Sequence, residues 1–162
     1  MNAFWYAAYG DSGKYLVKDH IEAAKYLQGL TYVDGDNIGI WGWSGGGYLT
    51  NMCMTLASDY FKAGISIAPN VEPLLYDTIW TERYMGLVEE NPEGYKNASV
   101  LTHVDKAKGH LLQIHGNADD NVHHQQSIKL AKAYAEHGKD MEMFIYSNAN
   151  HGMSNNNFLS ED

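Results

Sequence analysis

The feature that most constrains this chain is the run Gly42-Trp43-Ser44-Gly45-Gly46, which closes an apolar stretch beginning at Ile38. A short apolar stretch of this kind predicts a buried strand, and the five residues fit the pattern Gly-x-Ser-x-Gly. That pattern describes a strained turn from strand to helix, with a serine hydroxyl at its tip. We expect a Cβ atom at Gly42 or Gly46 to crowd the turn. By itself, the motif also fits an ordinary serine in a glycine-rich turn.

Length and charge limit the classes of partner. The chain has 162 residues, of which 44% are hydrophobic, and this predicts a single domain, 1–162, with a real core. Eleven Lys and Arg stand against 20 Asp and Glu, which gives a net charge of −9. Nucleic acids and anionic membranes are bound by basic patches, so we expect neither as a partner. No apolar run reaches the roughly 18 residues that span a bilayer, so we expect no membrane segment.

Helical and strand patterns alternate along the chain. Together they indicate an α/β fold whose sheet is mostly parallel and flanked by helices. The predicted strands are Ile38–Trp43, Ala63–Ala68, Leu111–His115 and Met141–Tyr146, and the predicted helices are Lys14–Gln28, Gly46–Ala57 and Ser127–His137. In the last helix, we expect Ile128, Ala131 and Ala135 to face inward.

Two of the predicted strand ends carry the partners that a serine nucleophile needs. A serine hydroxyl is a poor nucleophile at neutral pH and requires a base, usually histidine, oriented by a carboxylate. Asp119 and Asp120 follow the third strand, and His151 follows the fourth. The order Ser44, Asp119, His151 is the chain order of α/β-hydrolases. The aspartates could instead hydrogen-bond their own turn, and the histidine could be an ordinary exposed side chain.

A metal site is the other chemistry that these residues suggest. His115, Asp119, His123 and His124 are ligand types that Zn²⁺ accepts, and their spacing would suit one face of a helix. Gly116-Asn117 predicts a loop instead, so we expect no metal and no cofactor.

Three longer segments resemble one known family. They are Ile40-Trp-Gly-Trp-Ser-Gly-Gly-Gly47, Tyr76-Asp-Thr-Ile-Trp-Thr-Glu-Arg-Tyr-Met-Gly86 and His115-Gly-Asn-Ala-Asp-Asp-Asn-Val-His123. Such segments are similar to the catalytic domain of the dipeptidyl peptidase IV group, in the prolyl oligopeptidase family of serine peptidases. The resemblance runs from about Val17 to Gly152 and implies a partial α/β-hydrolase fold without its N-terminal strands.

This resemblance implies release of N-terminal dipeptides, preferentially after proline or alanine, from a peptide substrate. Carried onto the matching positions, it makes Ser44 the nucleophile, Asp119 the orienting acid and His151 the base. The backbone N–H of Gly45 would donate to the oxyanion. The substrate-binding residues it implies are Tyr76, Trp80, Asn121 and Val122. For Tyr76 and Trp80, four residues apart on one helical face, ordinary core packing is the alternative.

Two positions depart from the family pattern. Gly45 stands where the family usually has tyrosine after the nucleophile, and Trp80 stands where tyrosine is common. The first change keeps the backbone donor and alters the shape of the pocket. The second keeps an aromatic wall and loses a hydroxyl. Both leave the preference for the P1 residue open.

The resemblance also predicts that this chain is the C-terminal portion of a larger peptidase. The family has further strands, a β-propeller and a second oxyanion donor, a tyrosine, before the matched region. Loss of one oxyanion donor typically lowers kcat by about 10²–10³-fold, so we expect weak or no activity in isolation. The alternatives are a non-catalytic, self-associating fragment and a small serine esterase.

The missing N-terminal strands also predict self-association. Without them the first predicted strand would be an exposed apolar edge, from which we expect a homo-oligomer. Met1–Tyr9 is short and aromatic and lacks the basic start of a signal peptide, and no compartment is predicted.

Overall fold

A computed structural model describes residues 7–153, in which helices and strands alternate. The α-helices are α1 (Lys14–Gln28), α2 (Gly45–Leu56), α3 (Thr78–Met85), α4 (Pro92–Ala98) and α5 (Gln125–Glu136), and the strands are β1 (Gly39–Trp43), β2 (Ala63–Ile67), β3 (His110–Gly116) and β4 (Glu142–Tyr146). Two 3₁₀ segments, Pro73–Leu75 and Val100–Lys106, lie between β2 and β3. The predicted α/β class is confirmed, and the predicted domain limits, residues 1 and 162, lie outside the described residues.

The four strands form one parallel sheet in the order β1-β2-β3-β4. Because every strand runs in the same direction, all their carboxyl ends lie at the same end of the sheet. Trp43 at the end of β1 pairs with Ile67 of β2, and Gly116 of β3 pairs with Tyr146 of β4. The loops that follow β1, β3 and β4 therefore share one end of the molecule.

The two faces of the sheet differ in what covers them. Helix α2 packs on β1 and β2 so closely that a Cβ atom at Gly64 would lie 2.6 Å from Cγ of Met54. Met52, Met54 and Leu130 are fully buried in the core on this side. The other face carries exposed apolar side chains, among them Trp41 and Phe144. Strand β1 is an edge of the sheet, as predicted from the sequence.

The predicted inward face of α5 is wrong. Ile128 is 45% exposed, and Ala135 is also exposed. The buried residues of this helix are Gln126, Ser127, Leu130, Ala133 and Tyr134. Two of them are polar and are buried because they have partners, as shown by Gln126, whose Oε1 accepts hydrogen bonds from the backbone N–H groups of Val71 and Glu72. An apolar pattern does not reveal a face of this kind.

The segment between β2 and β3 contains two short α-helices. The expectation that Tyr76 and Trp80 share one helical face is wrong, because Tyr76 is extended and precedes α3. Helix α3 begins at the cap residue Asp77, whose Oδ1 accepts a hydrogen bond from the N–H of Trp80 at 2.8 Å. Helix α4 begins at Asn91, whose side chain accepts from the N–H of Gly94. The caps make these short helices possible, and α3 carries aromatic side chains toward the carboxyl end of the sheet.

Within residues 7–153, no helix is both long enough and apolar enough to cross a bilayer. The thiol of Cys53 is buried and free, and burial raises its pKa to about 12. That thiol is therefore a small apolar core group.

Candidate active site

Ser44 occupies a strained turn between β1 and α2. Its backbone has φ 57° and ψ −119°, which L-residues rarely adopt, and its N–H donates to the carbonyl of Ile67 at 2.8 Å. A Cβ atom at Gly42 would lie 2.3 Å from the backbone of Gly46, so glycine is required there. A Cβ atom at Gly46 would meet nothing within 4 Å, and the expectation of crowding at this second glycine is wrong. The reason is that Gly46 lies in the first turn of α2 and faces outward.

Ser44, His151 and Asp119 form a continuous hydrogen-bonded series. Nε2 of His151 lies 2.9 Å from Oγ of Ser44, and its Nδ1 lies 2.8 Å from Oδ2 of Asp119. Since a carboxylate only accepts, Nδ1 carries the proton and Nε2 is free to accept the proton of the serine hydroxyl. Asp119 is 4% exposed, whereas the neighbouring Asp120 is exposed.

The carboxylate and the imidazole are both held by further contacts. Oδ1 of Asp119 accepts hydrogen bonds from the backbone N–H groups of Asn121 and Val122, at 3.0 and 2.8 Å. Nε1 of Trp43 donates to the carbonyl oxygen of His151 at 3.0 Å, and the two ring centroids lie 5.5 Å apart. Sequence reasoning missed the role of Trp43, because only the fold brings β1 beside the loop that follows β4.

Gly45 is the first residue of α2, directly after Ser44. The first N–H groups of a helix have no acceptor within the helix, and they carry the positive end of its dipole. A negative charge that develops on an oxygen beside Ser44 is stabilised in this position. A Cβ atom at Gly45 would meet nothing within 4 Å, so the space beside the serine is open.

A cavity of about 140 Å³ opens beside Ser44. Its walls are mostly apolar and aromatic, and they are formed by Ser12, Ser44, Gly45, Tyr48, Asn70, Pro73, Tyr76, Trp80, Met85 and Val122. The rings of Tyr76 and Trp80 meet edge to face at 5.9 Å, and neither belongs to the hydrophobic core. These rings line the cavity and do not form ordinary core packing.

Asn121 joins the aromatic wall to the loop of Asp119. Its Oδ1 accepts the hydroxyl proton of Tyr76 at 3.0 Å. Partial burial, with Asp77 and Asp119 nearby, raises the pKa of Tyr76 above its ordinary value, so the phenol stays protonated and can donate this bond. The lining residues Asn70, Pro73 and Met85 carry no sequence signal that could have predicted their place.

The four residues whose types suggested a metal site, His115, Asp119, His123 and His124, do not form one. Both ring nitrogens of His115 are engaged by protein groups, Nδ1 by Ser127 and Nε2 by the carbonyl of Val122. The rings of His123 and His124 lie against each other, with centroids 4.9 Å apart. In the part of the chain that the structure describes, no three His, Cys, Asp or Glu residues could jointly hold an ion.

Comparison with known proteins gives one consistent answer. A model of the prolyl oligopeptidase family matches residues 2–161. Dipeptidyl peptidase 4 of Sus scrofa is 43% identical over 147 residues, which cover 89% of this chain and 19% of that protein. Prolyl endopeptidase FAP of Homo sapiens is 40% identical over 152 residues, or 92% of this chain and 20% of that protein.

A solved structure agrees with these relatives. The crystal structure of Porphyromonas gingivalis dipeptidyl peptidase 4 superposes with a TM-score of 0.92 at 38% identity, covering 96% of this chain and 22% of that one. The chain therefore spans about a fifth of the length of the proteins that it matches.

Proposed function

The chain belongs to the prolyl oligopeptidase family of serine peptidases, and from this premise we propose that Ser44, His151 and Asp119 are its catalytic triad. The observation that carries the proposal is the hydrogen-bonded series from Oγ of Ser44 through His151 to Asp119, with both distances below 3 Å. Ser44, with its strained backbone, also lines the cavity, which supports the proposal.

Peptide hydrolysis at this site takes place in two steps. Nε2 of His151 accepts the hydroxyl proton while Oγ of Ser44 attacks the scissile carbonyl, and the N–H of Gly45 donates to the resulting oxyanion. His151 then passes the proton to the leaving amine, so that the C–N bond breaks and an acyl ester remains on Ser44. Water, deprotonated by His151, attacks this ester. His151 then returns the proton to Oγ of Ser44 as the Oγ–C bond breaks, and the acyl group leaves as a carboxylic acid.

The cavity is suited to a small ring or methyl side chain at P1. Its volume of about 140 Å³ and its apolar walls, including Tyr76, Trp80 and Val122, fit the side chain of proline or alanine. In this proposal Asn121, which adjoins this wall through its hydrogen bond with Tyr76, holds the substrate's carbonyl. We therefore propose release of N-terminal dipeptides after Pro or Ala as the reaction.

A fluorophosphonate probe tests the triad, because it needs the nucleophile, the base and an oxyanion donor but no extended substrate subsites. We expect the unchanged chain to be labelled and Ser44→Ala to be unlabelled. Asp119→Asn should slow labelling on the order of 10⁴-fold, since the imidazole loses its orienting acceptor. Asp120→Asn is the matched control and should label normally because Asp120 is exposed. A folded wild-type chain that is not labelled would contradict the proposal and favour the non-catalytic alternative.

Substrate class is tested with two chromogenic substrates on the same preparation. Faster cleavage of a Gly-Pro anilide than of p-nitrophenyl acetate supports the dipeptidyl peptidase reaction. The reverse order supports the small esterase.

We further propose a homo-oligomer as the chain's macromolecular partner, formed through strand β1. An edge strand leaves one row of backbone N–H and C=O groups available for pairing with another chain.

A further inference from the structure

A second histidine contacts the carboxylate that orients the base. His115 lies near the end of β3 and is fully buried. Its Nε2 lies 2.8 Å from the carbonyl oxygen of Val122 and 3.2 Å from Oδ2 of Asp119. Because both of these neighbours are acceptors, Nε2 must carry a proton and donate.

The other ring nitrogen of His115 ends a directional series of hydrogen bonds. Nδ2 of Asn51 donates to Oε1 of Gln113 at 3.3 Å, and Nε2 of Gln113 donates to Oγ of Ser127 at 2.8 Å. Ser127 therefore accepts from Gln113 and gives its own proton to Nδ1 of His115, which lies 2.5 Å away. A cationic imidazole would bring two donors to Ser127 and leave no acceptor for the hydroxyl proton. The series thus selects the neutral ring with its proton on Nε2.

The surroundings of His115 agree with this assignment. Burial lowers the pKa of His115 below its ordinary value, although the bonds to Val122 and Asp119 oppose the shift, and His124 adds to the lowering. The charged or titratable groups that face the ring are Asp119 and His124, and His151 lies on the far side of the carboxylate. The hydrogen-bond series and the lowered pKa of His115 therefore both indicate a neutral ring at neutral pH.

Three hydrogen bonds hold the carboxylate of Asp119, and a fourth donor group lies beside it. Its Oδ2 accepts from His151, its Oδ1 accepts from two backbone N–H groups, and Nε2–H of His115, which donates to Val122, lies 3.2 Å from Oδ2. Among residues 7–153, the other donor at Oδ2 is the imidazole that moves protons during the proposed reaction. We propose that His115, held as the neutral Nε2–H tautomer by Ser127, is a positioning residue that keeps Oδ2 of Asp119 directed at His151. This inference rests on the proposed role of Asp119.

The first test measures the tautomer directly and needs no activity. In ¹⁵N-histidine-labelled chain, long-range ¹H–¹⁵N correlation spectra distinguish the Nε2–H, Nδ1–H and cationic forms. His115→Gln identifies the signal of residue 115 by its disappearance. We expect the neutral Nε2–H form at neutral pH. An Nδ1–H or cationic ring at this position would overturn the inference.

The second test follows the rate of fluorophosphonate labelling as a function of pH. His115→Leu removes the donor, and we expect a loss on the order of 10²-fold, because displacement of a catalytic group by about 1 Å costs that much. The acidic limb of the rate profile, where labelling slows as the pH falls, should move to lower pH. The reason is that an Asp119 carboxylate directed away from His151 no longer stabilises its imidazolium. His115→Gln keeps a donor at a similar reach and should restore most of the rate and the wild-type limb.

Leu111→Ala provides the matched control for lost packing. Leu111 is buried on the same face of β3, so its truncation lowers stability without changing a hydrogen bond to Asp119. We expect the labelled fraction of the Leu111→Ala chain to fall as its folded fraction falls. The pH dependence of its labelling rate should match that of the unchanged chain. A His115→Leu variant with the wild-type rate and limb would refute the positioning role, as would His115→Gln losing as much as His115→Leu. Absence of labelling in the unchanged chain would count against the proposed function, and the tautomer measurement would still decide this inference.

Discussion

Ser44 joins local backbone strain to the proposed nucleophilic role. A non-glycine residue in such a backbone conformation costs about 1–3 kcal/mol, which the surrounding structure must offset. The hydrogen bond from its N–H to Ile67 on β2 and the bond from the N–H of Tyr48 to its carbonyl contribute to this. Gly42 allows the turn to close, because no other residue leaves room for the backbone of Gly46. In this conformation Oγ of Ser44 lies 2.9 Å from Nε2 of His151.

His115 should make the stability of the chain depend on pH. Burial lowers its pKa in the folded state, so between this value and the ordinary imidazole pKa of about 6.5 the unfolded chain binds more protons. The contribution of His115 is complete above about pH 6.5 and is lost as the pH falls toward its folded pKa. We expect the urea midpoint, measured by circular dichroism, to decrease over this window.

The comparison uses His115→Gln, because glutamine cannot titrate. Its urea midpoint should change less with pH than that of the unchanged chain, with the difference confined to the region below about pH 6.5. Equal pH dependence in both proteins would show that His115 is not the buried titrating group.

Helix α2 shows how an element is positioned by the absence of side chains. A Cβ atom at Gly47 would lie 2.8 Å from the carbonyl oxygen of Ile67 and 3.1 Å from Cβ of Pro69. The helix therefore lies directly against the end of β2, and its N-terminus is fixed beside Ser44. In the proposed reaction, a more distant helix would move the Gly45 N–H away from the developing oxyanion.

Replacement by alanine should affect the stability of the chain differently at two adjacent glycines of α2. Gly47→Ala should lower the free energy of unfolding by about 1–3 kcal/mol, because the helix must move off β2. Gly46→Ala should be neutral or raise it by up to about 1 kcal/mol, because alanine favours helix and its Cβ meets nothing within 4 Å. Urea unfolding with an unchanged m-value measures both. Equal destabilisation by the two variants would refute the close packing.

At the scale of the described chain, residues 7–153, helices cover one face of the sheet and the other face carries exposed apolar side chains. Trp41 is 73% exposed on the open side of the edge strand β1, next to Ile65 of β2, which is 41% exposed. An apolar edge of this kind favours pairing with a second chain.

A charge on this edge should therefore reduce self-association. We expect the apparent mass of the unchanged chain, measured by light scattering after size exclusion, to rise with concentration. Trp41→Lys should weaken this rise, since lysine on an edge strand opposes pairing. Tyr32→Lys is the matched control, because Tyr32 is 83% exposed but lies in the turn before β1. A wild-type chain that stays monomeric at every concentration would contradict the proposed homo-oligomer.

Much of the fold can be read from the sequence. Helix α1 has the predicted bounds, Lys14–Gln28, and each predicted strand is present within two residues of its expected ends. Apolar periodicity works for these elements because they bury apolar side chains on a regular face. Apolar periodicity does not predict helices α3 and α4, because they are short and begin at side-chain caps rather than on an apolar stripe.

The sequence by itself determined the residue types at the strand ends: Ser44 after β1, Asp119 after β3 and His151 after β4. It could do so because parallel strands bring their carboxyl ends together, whatever the details of packing. Only the tertiary structure decided that His115 and Trp43 hold this group, and that α5 buries Gln126 and Ser127. Polar groups are buried where a partner exists, and such partners, from Gln113 to Ser127 or from Trp43 to His151, are distant in the chain until it folds.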